Sequence, residues 1–196
     1  MGQFQLLAQP PWVNLFVFIP LGLFIAWRSR GLQIPGRQFL FATLFALAFG
    51  FVEAAVVVYL RAATGLLPGY AGTLTEVQHL AKGTALNPPA ITQFPQSLLT
   101  VEILREGATI VMLVSIAMLA AARARERSAV FLWMFALWDI SYYAGLWSTI
   151  RWPNSLTELD VLFLIPVPWV AQVWFPLLVS LLALIAVAFS RKQMRV

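Results

Sequence analysis

The chain has 196 residues, 61% of them hydrophobic and 11% charged, with a net charge of +5 and a mean hydropathy of +0.82. That apolar share excludes an ordinary soluble domain, in which about half the residues are apolar. The basic residues sit in short connections rather than in a patch interleaved with aromatics, which argues against nucleic acid as a partner. The absence of cysteine excludes disulfides, thiolate metal sites and iron–sulfur ligation.

A membrane-spanning helix needs about 20 mostly apolar residues. Stretches near that length occur over residues 11–27, 38–60, 98–122, 129–150 and 166–189. The expected fold is therefore an all-α integral membrane protein, a bundle of five transmembrane helices forming one domain over residues 1–196. The first segment lacks a preceding basic region and reads as a retained anchor rather than a cleaved signal. In the second, Ala42, Ala46, Gly50 and Ala54 recur every fourth residue, a spacing that lets helix backbones approach closely in lipid. Glu53 shares that side and should point into protein.

The loop over residues 61–97 is the one sizeable extramembrane piece. Thr73 to Glu76 resembles a capping box, and a short amphipathic helix is expected over residues 73–86. His79, the only histidine, reads as a solvated loop residue. The fifth segment begins among Pro166 and Pro168, so its helix should start there, where a missing N–H costs nothing. Residues 160–165 then lie at the interface or dip inward as non-helical backbone buried in protein. Pro176 should kink this last helix. Trp152, Trp169 and Trp174 suit an aromatic belt.

Charge sets the orientation. Arg28, Arg30, Arg37, Arg123, Arg125, Arg127, Arg191, Lys192 and Arg195 fall on one side, against Arg61, Lys82 and Arg151 on the other. The positive-inside rule puts the N-terminus outside and the C-terminus in the cytoplasm, as in a bacterial plasma (inner) membrane.

The few charges inside apolar runs define the candidate site, because an ionisable group in hydrocarbon is costly unless paired, solvated or used. Glu102, Arg105, Glu106 and Thr109 fall within a sector of about 100° on the third segment. On the fourth, Asp139, Tyr142 and Tyr143 share a face, so the phenols could donate hydrogen bonds to the carboxylate. Glu53 and these groups all lie at middle or outer depth, and one outward-opening pocket accounts for them together. Four acids against Arg105 cannot all stay ionised in a low dielectric, so some hold protons or a cation is bound. That cation could be a divalent metal on Glu53, Glu102, Glu106 and Asp139, a substrate amine, or Arg61 reaching down.

The leading reading is an acidic pocket that binds a cation or carries protons. In it Glu53, Glu102, Glu106 and Asp139 are ligands or proton carriers, Arg105 balances charge, and Tyr142 and Tyr143 donate hydrogen bonds. Such a protein would work alone, as a homo-oligomer, or as a subunit of a redox or energy-converting membrane complex. One alternative is a membrane-embedded enzyme acting on a lipid or isoprenoid by Glu/Asp acid–base chemistry. The other is a purely structural subunit. No lysine lies in a spanning stretch, which excludes a retinal Schiff base, and one histidine cannot supply bis-His haem.

The orientation has a direct test. Fluorescent fusions at Arg30 and Arg125 should glow, and alkaline phosphatase fused at Lys82 should be active; an N-terminal fluorescent fusion that glows in the cytoplasm overturns it.

Overall fold

The structure, a computed structural model, describes residues 6–63 and 96–191. The expected helix over residues 73–86, with Glu76, His79 and Lys82, lies outside them. A 3₁₀ stretch, Pro11–Val17, runs directly into helix α1, Phe18–Arg28. Helices α2, Gly36–Ala63, α3, Gln96–Ala120, and α4, Ala124–Ile150, follow. A hairpin of β1, Leu159–Phe163, and β2, Trp169–Gln172, precedes helix α5, Trp174–Ser190. The chain is thus mostly helical. Among the described residues, four helical stretches, Pro11–Arg28, Gly36–Arg61, Leu98–Ala120 and Ala124–Ile150, are long and apolar enough to cross a membrane, and Trp174–Ser190 is a shorter apolar helix.

Large apolar side chains face outward along these helices. Leu119 is 82% exposed and Phe189 79%, the arrangement expected where lipid rather than water surrounds the protein. Helix directions follow from paired ends. Gln9 bridges Val170 at one end of α1 and α5, and Leu32 bridges Arg191 at the other, so the two run the same way. Helices α2 and α4 run parallel, as Trp133 Nε1 donates to Thr43 Oγ1 near their starts and Gly145 lies on Ala54 further along. Arg123 bonds Gln33, tying the end of α3 to the start of α2.

The stripe of small residues on α2 forms its seam with α4. Ala42, Ala46 and Ala54 are fully buried. At Gly50 a Cβ would overlap the Ser141 hydroxyl and the Trp138 carbonyl oxygen, so only glycine admits this approach.

The fifth segment departs most from the all-α expectation. Residues 159–172 form an antiparallel hairpin with Leu159 opposite Gln172, Asp160 opposite Ala171 and Val161 opposite Val170, and the register shifts before Phe163 pairs Trp169. Pro166 and Pro168 sit in its tip, where neither owes the ladder an N–H. The helix therefore begins at Trp174 rather than near residue 166. Pro176 falls in its first turn, where the backbone N–H has no intrahelical acceptor anyway, so it breaks no helical bond there. Gln9 extends the hairpin, exchanging N–H···O bonds of 2.8 Å with Val170 in both directions. Irregular backbone survives at membrane depth only when its polar groups are satisfied by protein, and this pairing meets part of that demand.

Two more expectations change. Trp152 is completely buried beneath the Arg61 guanidinium, 4.6 Å from its ring, and so is not a belt residue. Helix α4 starts before residue 129 and includes Glu126, which is buried and paired with Arg125 at 2.9 Å. A carboxylate in the first turn suits the positive end of the helix.

The seam yields a paired prediction. Gly50→Ala should destabilise by about 1–3 kcal/mol, because backbone as well as side chain must yield. Gly22→Ala, where a Cβ meets nothing, should leave the midpoint unchanged or raise it, since alanine favours helix by up to about 1 kcal/mol. Thermal unfolding in detergent reads both; equal midpoints for the two variants would refute the seam.

Candidate functional site

A cavity of about 580 Å³ lies among α1, α2, α3, α4, the hairpin and α5. Its wall carries Glu53, Glu102, Arg105, Glu106, Thr109, Asp139, Tyr142, Tyr143, Asp160 and Ser180, and is otherwise mainly aliphatic and aromatic. The size lies within the roughly 300–1,000 Å³ common for small-molecule sites. All the acids, the arginine and the tyrosines singled out above border this one space.

Helices α2 and α3 supply the ion-paired part. The Arg105 guanidinium bridges two carboxylates, bonding Glu53 through Nη1 and Glu102 Oε2 through Nε at 2.8 Å and Nη2 at 2.8 Å. Thr109 Oγ1 donates to the other oxygen of Glu53 at 2.8 Å. Both glutamates are buried. Arg105 and Thr109 meet Glu53, and Glu102 meets Arg105, because three- and four-residue spacing puts them on one face of α3. A planar fork with fixed donors can serve two acids at once, as an ammonium cannot.

Three carboxyls stand apart from that bridge. Glu106 Oε2 accepts the Leu164 backbone N–H at 2.8 Å, which ties the hairpin to α3. Asp139 Oδ2 accepts from Ser180 Oγ on α5 at 2.8 Å. Asp160, on β1, accepts from Tyr143 at 2.9 Å and from the Val161 N–H at 2.9 Å. The expectation that the phenols serve Asp139 is corrected here. Tyr143 turns to Asp160 because the hairpin folds that carboxyl back onto α4, and Tyr142 packs edge-on against the Tyr143 ring at 5.1 Å.

Arg61, expected in the outer loop, lies in the last turn of α2 and is fully buried. It lies within coulombic reach of Asp160 and Glu158. Of the four carboxylates proposed as metal ligands, Glu53 and Glu102 share Arg105, Glu106 holds the Leu164 N–H and Asp139 holds Ser180. Among the described residues, no three of His, Cys, Asp or Glu converge as a ligand group. Arg105 itself takes the place expected for the cation on Glu53 and Glu102.

Sequence reasoning missed Ser180 and the Leu164 N–H as site members. Ser180 carried a faint signal, being a lone hydroxyl in the apolar run of α5. A backbone N–H carries none. Compared with protein families, curated proteins and solved structures, the chain matches none, so the cavity's own chemistry is the basis for a functional reading.

Breaking a buried ion pair from one side typically costs about 3–5 kcal/mol, against about 1 for an exposed pair. With an Arg105 side chain 24% exposed and its partners 7% and 11%, Arg105→Leu should fall nearer the larger cost. Adding Glu53→Gln or Glu102→Gln should recover part of it. Adding Glu106→Gln should recover less, because Glu106 bonds the hairpin backbone and meets Arg105 only through charge. Arg105→Lys should rescue poorly. Unfolding midpoints of these variants decide the matter; strictly additive losses throughout would mean that Arg105 does not bridge the two acids.

Proposed function

We propose that this chain is a membrane protein of five spans, with its N-terminus outside, whose cavity binds an amphipathic molecule of the lipid or isoprenoid class. The ion-paired and hydrogen-bonded carboxyls would handle its head group. The observation that carries this reading is the composition of the cavity wall: a broad apolar lining with its polar groups gathered from α2, α3, α4, β1 and α5. A site for a bare ion would be small and polar throughout. A site for a polar metabolite would not spend this much aromatic surface.

Access from the bilayer is consistent with the packing. Helix α1 packs on α5, whereas α3 packs on α4 and α2. Both α1 and α3 nonetheless contribute to the cavity wall, through Ile19 and Pro20 on one and Leu99 and Ile110 on the other. Membership of a plasma (inner) membrane rests on the arginines gathered at one end. Helix α5, with 17 residues, reaches about 26 Å, and the hairpin above it makes up the remaining depth.

Within the site, Arg105 holds Glu53 and Glu102 in place and neutralises part of their charge. Glu106 and Asp139, held by neutral donors alone, are the groups free to take or give a proton. This is acid–base capability of the kind an enzyme would use on a lipid head group. Proton carriage without a lipid substrate is the second reading. It is favoured by one observation, the Tyr143–Asp160 hydrogen bond beside the Arg61 charge at the end of the cavity away from the basic cluster. In either case the chain could act alone, as a homo-oligomer or within a larger membrane complex.

Gly107 borders the cavity, and a Cβ built there meets nothing, so Gly107→Phe should intrude on the space without disturbing the bundle. Protein extracted in mild detergent should retain a lipid-class molecule in native mass spectrometry, and Gly107→Phe should lose it. Wild-type protein that emerges without such a molecule, and whose unfolding midpoint added amphipaths do not move, would refute the reading.

A further inference from the structure

The cavity's charge is unbalanced in one direction. Among the described residues that line it, Arg105 is the lone cation, against Glu53, Glu102, Glu106, Asp139 and Asp160, of which Asp160 also feels the charge of Arg61 behind the wall. The guanidinium is already spent on Glu53 and Glu102. Glu106 and Asp139 face the same space, held by a backbone amide and a serine hydroxyl. These donors are neutral, and Arg105 reaches Glu106 through charge without bonding it. Like charges in a low dielectric cannot all persist without protons or a further counter-charge, and a cationic ligand would bring one.

A second feature of the wall is independent of the acids. Trp138, Tyr142 and Tyr143 place aromatic surface in the same space, and the electron-rich face of such a ring attracts a cation. Carboxylates and aromatic faces converging on one space are complementary to an ammonium group. A phosphate would face acids on every side, with its natural partner Arg105 already engaged.

We infer that the amphipath taken by this cavity carries a cationic amine head group, rather than a phosphate or diphosphate. This rests on the amphipath-binding reading above and narrows it to one class of head group. The apolar wall would hold the chain. Glu106 and Asp139 would receive the ammonium, one from α3 and one from α4, and the aromatic rings would flank it.

The test uses three probes of equal chain length, dodecylamine, dodecanol and dodecyl phosphate, titrated into the full chain in a non-ionic detergent. Binding is read by native mass spectrometry and checked by the unfolding midpoint. One dodecylamine should bind per chain, at least about tenfold tighter than dodecanol, with dodecyl phosphate weakest. In Glu106→Gln and in Asp139→Asn the amine-to-alcohol ratio should fall several-fold toward one. Reading the ratio in each folded variant separates loss of head-group recognition from general damage. Equal binding of amine and alcohol, or preference for the phosphate, overturns this inference and leaves the amphipath reading standing. An unchanged ratio in both variants overturns the roles given to Glu106 and Asp139. Binding of none of the three overturns the amphipath reading as well.

Discussion

The polar face of α3 is placed by a single guanidinium held between two helices. Arg105 sits in a layer where solvation by water is scarce, so its charge persists only if protein supplies both counter-charge and hydrogen bonds. Glu102, one turn earlier on α3, supplies one side, and Glu53 on α2 supplies the other. Since the fork is planar and rigid, meeting both acids fixes the rotation of α3 about its axis and its height against α2. Everything else on the polar face of α3 is then placed by helical geometry. Thr109 lands on the second oxygen of Glu53, and Glu106 lands against the hairpin.

Close approach on the other side of α2 makes this possible. Gly50 lets α2 rest on the backbone of α4 at Trp138, and the neighbouring alanines keep the seam shallow. Helix α4 is thereby held near enough to α2 and α3 for Asp139 and Tyr143 to border the same space as Arg105. Lipid provides no hydrophobic drive between helices, so contact of this kind and interhelical hydrogen bonds must supply the association. The bond from Trp133 to Thr43 adds one more.

The hairpin closes what the helices leave open. Its backbone would be costly in hydrocarbon, and its polar groups are met from three directions: its own ladder, the extended N-terminal residues at Gln9, and the Glu106 carboxylate. Phe163 packs against Trp138 at 6.1 Å and Trp169 at 5.3 Å, so the strand ends are anchored in aromatic surface. The hairpin also delivers Asp160 to Tyr143. A cavity made in this way has an apolar body and a polar region built from separate elements, which suits a molecule divided along the same lines.

Much of this was legible in the sequence because hydrocarbon imposes few solutions. Long apolar runs can only be helices or barrel strands there, so the presence of long apolar helices could be read from composition and periodicity, though not where the last one starts. The cost of charge in lipid singled out Glu53, Glu102, Arg105, Glu106 and Asp139 without any geometry, and helical spacing showed which of them share a face. Partner choice was beyond that reach. Whether Arg105 meets Glu106 on its own helix or Glu53 on another depends on how α2 and α3 are rotated. Tyr143 chooses Asp160 over Asp139 only because the chain after α4 doubles back. The hairpin itself was half visible: its two prolines forbade a regular helix, but a ladder with Gln9 needs residues about 160 positions apart to meet. Local sequence determined which groups had to be buried and satisfied. Only the tertiary structure decided who satisfies whom, because hydrogen bonds between elements depend on distances that no local pattern encodes.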